Sequence, residues 1–277
     1  RIEEIKNIQL NESYFKVDHP SGLTILVMPK EGYASSYAVF ATKYGSIDNK
    51  IPQADGSFKE IPEGTAHFLE HKLFESEELD AFARFAQTGA SANAYTGFDR
   101  TGYLFTCTDN FKESLEILLD FVQKPYFTQE TVEKEQGIIG QEIRMYKDLA
   151  DWAVLFNLLK VMYHKNPVRH DIAGTQQSIA QITADLLYDC YKTFYNLNNM
   201  VLAVAGNVSL DEVLSVADKM LKGSSGSEVQ REFIIEPEGV IEDYIEQKLE
   251  VSAPQFLLGF KQNVKSPLRS AEERVGA

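Results

Sequence analysis

Gly64-Thr65-Ala66-His67-Phe68-Leu69-Glu70-His71-Lys72-Leu73-Phe74 contains His-x-x-Glu-His, the mirror of the commoner zinc-binding order His-Glu-x-x-His. The spacing predicts a helix. At about 100° per residue, His67 and His71 fall within about 40° of each other, and Glu70 stands beside them on the same side. Two imidazoles so placed can hold Zn²⁺ at about 2.0–2.1 Å and leave room for a third protein ligand and a water. The adjacent carboxylate is then positioned to accept a proton. The competing reading is a pair of helix-face histidines in a core, but two His and a Glu within a turn and a half are costly to bury without a function.

Outward from this stretch, the helix is expected to start with Thr65 as N-cap and to run on through Glu77–Ala86, broken near Glu75, as far as Gly89. Upstream, Tyr14–Val17, Thr24–Met28 and Ser36–Thr42 alternate as antiparallel strands do, and residues 45–59 read as a polar loop. Downstream, Ser91–Phe98 and Thr101–Cys107 read as two strands joined by a tight link. The first of these is small and polar, which suits a sheet edge able to receive another extended chain.

A helix over Phe111–Val122 ends before Pro125, and a second begins after Thr128. The second carries Glu135 and Glu142, seven residues apart and therefore on one face, beside an apolar stripe of Val132, Ile139 and Tyr146. An aligned carboxylate pair there suits one metal ligand and one acceptor for an imidazole N–H. Helices are expected over Asp151–Tyr163 and Gln177–Tyr195, then a buried strand over Met200–Gly206 and a helix over Leu210–Leu221. His164 and His170 read as loop residues and receive no role.

The composition bounds the partners. A chain of 277 residues with 44% hydrophobic content supports a sizeable core. Its net charge of −14 disfavours nucleic acid and anionic membranes and favours basic peptides. Two cysteines give no disulfide framework, and no apolar run is long enough for a membrane span. Without a signal-peptide pattern a cytoplasmic location is expected, although the sequence opens on Arg1 rather than Met.

Gly64–His71, Ala92-Asn93-Ala94-Tyr95-Thr96, the Glu135/Glu142 pair and the Met200–Gly206 strand together resemble the pitrilysin/insulinase zinc metallopeptidases. The likeness is greatest to the processing-peptidase branch with its YmfH-type bacterial members, and it covers most of residues 10–265. It implies an α+β fold: a mixed, largely antiparallel sheet with helices on one face, forming half of a peptidase clamshell. It implies Zn²⁺ held by His67, His71 and Glu142, with Glu70 as general base and Glu135 steadying the site. Asn93, Ala94 and Tyr95 would lie on the edge strand that receives a peptide substrate. The gap from His71 to Glu142 is several residues shorter than the family's usual one, and the usual gap lands on Asp148. Glu142 is preferred because Asp148 lies on another face and has no carboxylate seven residues before it.

The expected organisation is a zinc-peptidase catalytic domain over residues 1–225, a linker over 226–248 opened by Gly223–Ser227, and the start of a second, similar domain over 249–277. Strands are expected over Leu249–Phe260 and a polar tail over Ser270–Ala277. The resemblance also implies a partner, either a second homologous domain or a paralogous subunit. Two rival functions remain: a peptidase-like subunit without activity, and a purely structural zinc, the latter disfavoured by Glu70 and the lack of a cysteine-rich ligand set.

Overall fold

The computed structural model describes residues 1–77, 79–223, 226 and 228–261. Its centre is a seven-stranded sheet in the order β1-β2-β3-β9-β4-β8-β7, with β1 Ile2–Asn7, β2 Glu12–Asp18, β3 Thr24–Pro29, β4 Ser36–Thr42, β7 Ser91–Thr96, β8 Thr101–Cys107 and β9 Met200–Gly206. All neighbours are antiparallel except β3 and β9, where Thr24 faces Val201 and Pro29 faces Gly206. β9 reads Met-Val-Leu-Ala-Val-Ala-Gly because it is central, with β3 on one side and β4 on the other.

Alternation along the strands puts Ile25, Val27, Ala38, Phe40, Tyr103, Phe105, Leu202 and Val204 on one buried face. The helices cover that face. They are α1 Thr65–Leu73, α2 Ala81–Thr88, α3 Phe111–Val122, α4 Gln129–Lys147, α5 Ala150–Met162, α6 Gln176–Ile179, α7 Ala184–Phe194 and α8 Leu210–Met220. Their apolar residues, among them Phe68, Leu69, Phe85, Leu118, Phe121, Ile139, Leu187 and Val213, join the sheet in one core. The opposite sheet face carries the less buried Val39, Leu104, Val201 and Ala203 with exposed Tyr37 and Tyr95. Among the described residues no helix is long and apolar enough to cross a membrane.

Several local expectations are corrected. β1 was not foreseen, because its charged residues do not alternate with apolar ones; such charge is usual for an edge strand. Residues 45–59 are not wholly loop: β5 Lys50–Pro52 and β6 Phe58–Glu60 form a hairpin, each too short for a periodic signal. The break expected near Glu75 is present: the helix after Gly64 ends at Leu73, and a separate α2 starts behind Asp80, whose side chain accepts from the Ala83 N–H. Gln177–Tyr195 is likewise divided, because Thr175 and Thr183 each cap a helix of their own.

Gly64, not Thr65, is the N-cap of α1, with φ +86° and no side-chain cap. A Cβ on Gly64 would lie 2.4 Å from the Ala173 carbonyl oxygen, and one on Gly174 would lie 2.5 Å from that of Glu63. Glycine at both places lets the 170–174 segment lie directly against the entry to α1.

The strands expected over Leu249–Phe260 are not formed; the described residues 228–261 contain neither helix nor strand. A strand requires a ladder neighbour, and this segment is instead held by scattered bonds. The Ile241 N–H donates to the Val161 carbonyl. Glu236 accepts from the backbone N–H groups of His164, Lys165 and Asn166 at 2.6, 2.9 and 2.8 Å and from Lys261 Nζ at 3.0 Å. The tail expected over Ser270–Ala277 lies outside the described residues.

Candidate metal centre

α1 is buried along almost its whole length, packed between β7, β8, α4 and α7. Phe68 and Leu69 enter the core, which turns His67, Glu70 and His71 toward α4. α4 is set by a capping box, Thr128 with Thr131, and by Val132, Ile139 and Ile143 on its buried side. The same side carries Glu135, so Glu135 and Glu142 both face α1 across the helix pair.

The result is one polar cluster. Ligand atoms of His67, His71 and Glu142 lie within 4.8 Å of one another. Glu142 Oε2 is 3.7 Å from His67 Nε2 and 3.5 Å from His71 Nε2. Tetrahedral coordination at about 2.0–2.1 Å puts ligand atoms about 3.3–3.4 Å apart, so the donor set fits a zinc ion with small adjustments. His71 Nδ1 meets Glu135 Oε1 at 2.9 Å, a bond that in the neutral ring places the proton on Nδ1 and leaves the Nε2 lone pair facing Glu142. His67 Nδ1 is buried with no hydrogen-bond partner among the described residues.

The electrostatics divide the two histidines. Burial, and then the neighbouring His71, push the His67 imidazole down to about 4, which keeps it neutral and able to ligate. Burial also acts to lower His71, but the bond to Glu135 and the charges of Glu70, Glu142 and Glu135 carry it above its ordinary value. Burial raises the Glu70 carboxyl, against the opposing effects of Thr96 and His71. Glu70 Oε2 accepts from Thr96 Oγ1 at 2.5 Å, so β7 holds the carboxylate in place.

Sequence reasoning missed Thr96 and also the support behind Glu142. The Tyr146 hydroxyl, one turn further along α4, donates to Glu142 Oε1 at 2.5 Å. Burial, followed by that bond, raises the phenol well above its ordinary value. The i,i+4 spacing of Glu142 and Tyr146 was a visible signal. Asp148 caps α4 and is not part of the ligand group. His170 pairs with Glu63 at 2.9 Å, beside the start of α1.

β7 is an edge of the sheet. The Gly97 N–H bonds the Arg100 carbonyl, and strand alternation then directs the backbone groups of Ser91, Asn93 and Tyr95 toward β8 and those of Ala92, Ala94 and Thr96 toward the open side. The Ala94 N–H is accepted by Asn93 Oδ1 at 2.8 Å. The Asn93 and Tyr95 side chains leave the sheet on the face opposite Thr96 and Glu70, and the Tyr95 ring lies over Gly102. Of the expected edge residues, only Ala94 shares the strand face of Thr96 and Glu70, while Asn93 and Tyr95 stand on the other face.

The model of the insulinase (peptidase family M16) domain matches residues 54–176, and that of the peptidase M16 inactive domain matches residues 181–270. The chain is 47% identical over 276 residues to the uncharacterized zinc protease YmfH of Bacillus subtilis (strain 168), covering 98% of this chain and 64% of that protein. The chain belongs to the insulinase (M16) peptidase family, in its YmfH-type branch. The solved structure of an M16-like peptidase from Alicyclobacillus acidocaldarius superposes with a TM-score of 0.80 at 42% identity, over 86% of this chain and 56% of that one. The human mitochondrial-processing peptidase subunit beta is 32% identical over 159 residues, 56% of this chain and 32% of that protein. The chain thus spans 64% of the length of YmfH and 56% of that of the Alicyclobacillus peptidase.

Proposed function

We propose that this M16 chain is the catalytic half of a zinc-dependent endopeptidase that hydrolyses extended peptides or unfolded segments. His67, His71 and Glu142 are the zinc ligands in this reading, Glu70 the general base and Glu135 the acceptor that orients His71. The observation that carries it is the convergence of three ligand atoms within 4.8 Å, with the Glu70 carboxylate held beside them by Thr96. A bound Zn²⁺ supplies Lewis acidity to the scissile carbonyl and acidifies the attacking water.

The remaining steps belong to the chain's own residues. The open edge of β7 receives the substrate backbone as an added strand, which favours extended over folded chains. Glu70 takes the proton from the attacking water and passes it to the leaving amine, a transfer suited to a carboxyl whose proton affinity burial has raised. The net charge of −14 favours basic peptides. The zinc-protease relatives are longer than this chain, which supports a cleft completed by a second homologous domain or a paralogous subunit.

The test is cleavage of an unstructured basic peptide by the zinc-loaded protein, with Glu70→Gln as comparison. Chelator-sensitive cleavage that falls about 10²–10⁴-fold in Glu70→Gln is expected. Zinc and peptide binding without cleavage would establish the rival, a peptidase-like binding subunit.

A further inference from the structure

Glu142 has two carboxylate oxygens, and the structure treats them differently. Oε2 faces both histidines, at 3.7 and 3.5 Å, while Oε1 accepts the Tyr146 hydroxyl at 2.5 Å. A carboxylate with one oxygen so engaged has one left for a cation. A free carboxylate beside an open zinc site can close on the ion with both oxygens, which uses up the position a water or substrate needs.

The tyrosine is itself held. Its ring stacks on Trp152, with centroids 4.6 Å apart and planes at 17°, and Trp152 is braced from behind by Phe156 at 5.0 Å. Trp152 Nε1 donates to Asp171 Oδ2 at 2.5 Å, and Asp171 Oδ1 accepts the Ala173 N–H at 2.9 Å. The Ala173 carbonyl in turn abuts Gly64 at the first turn of α1, the helix that carries His67 and His71. One frame therefore runs from the α4 carboxylate through a hydroxyl, an aromatic stack and a short loop to the start of the histidine helix.

We infer that Tyr146 is a positioning residue for the metal centre: its hydroxyl engages Glu142 Oε1, makes Glu142 a one-oxygen ligand and keeps a coordination position open. This rests on the reading of His67, His71 and Glu142 as zinc ligands. A partner of this kind, outside the ligand set, typically carries about 10- to 100-fold of metal affinity.

The test is Tyr146→Phe in the full chain, which keeps the ring and its stack and removes only the hydroxyl. Zinc affinity is measured by competition with a chromophoric chelator, and the visible spectrum is recorded with cobalt in place of zinc. Tyr188→Phe serves as comparison, because its hydroxyl also serves a structural bond, accepting the Phe127 N–H at 3.0 Å, but on another helix. The expected result is a 10- to 100-fold loss of zinc affinity in Tyr146→Phe alone, with weaker cobalt bands as coordination rises above four. Unchanged affinity and an unchanged cobalt spectrum in Tyr146→Phe overturn the inference, as does an equal loss in Tyr188→Phe, which signals general loosening. A parent chain that takes up no zinc overturns both this inference and the peptidase reading, whereas a zinc-binding parent with a silent Tyr146→Phe overturns this inference alone.

Discussion

Every residue of α1 except His71 is buried, whereas Ile235, Phe256, Leu258 and Phe260 of the 228–261 segment are 77, 77, 67 and 87% exposed. Both are attached to the same body, by different means. The helix is held through packing on several elements at once, so its polar side chains are kept together at the surface of α4. The segment is held by a few polar bonds, chiefly the Glu236 carboxylate in its ring of backbone N–H groups. Packing holds the helix, whereas beyond Val229, which packs against the core, the segment is attached by a polar clasp.

The comparison breaks first at Phe68, fully buried beside His67. Phe68→Ala is expected to cost about 3–5 kcal/mol in denaturant unfolding, while Phe256→Ala, in the exposed segment, stays within about 0.5 kcal/mol. Equal effects at the two positions would remove the distinction. A smaller effect is expected at Glu135, the acceptor for His71 Nδ1. Glu135→Ala should weaken zinc binding by about 10- to 100-fold, measured by chelator competition, with the fold checked by circular dichroism.

The smallest effect belongs to the clasp and appears as a pH dependence. Burial acts to raise the Glu236 carboxyl, but the His164 N–H, Lys261, and the Lys165 and Asn166 N–H groups hold it down to about 2, against an ordinary 4.5. A carboxyl lowered in the folded state stabilises it above its unfolded value and loses that contribution as the pH falls through the folded one. Stability should therefore drop between about pH 5 and pH 2 through this group, and Glu236→Gln should flatten that part of the profile. An unchanged profile in the variant would show that the clasp contributes nothing to attachment.

The same contrast explains what the sequence made legible. His67, Glu70 and His71 were readable because a helix period alone places them together, and the Glu135/Glu142 pair for the same reason. Thr96, Trp152 and Asp171 were not, because their contacts join elements whose relative placement no local period encodes. Tyr146 lay between the two cases: its spacing from Glu142 was visible, but its hydrogen bond was not. β9 was legible from its apolar run, and the central place in the sheet follows from partners far away in sequence. The expected strands over Leu249–Phe260 failed because alternation of apolar residues does not supply a neighbouring strand.

The most direct test of the account is zinc content by elemental analysis of the purified chain beside Glu142→Gln and Asp148→Asn. About one zinc per chain is expected in the parent and in Asp148→Asn, and its loss in Glu142→Gln. A parent that remains without zinc after reloading, or a Glu142→Gln chain that keeps a full equivalent, would contradict it.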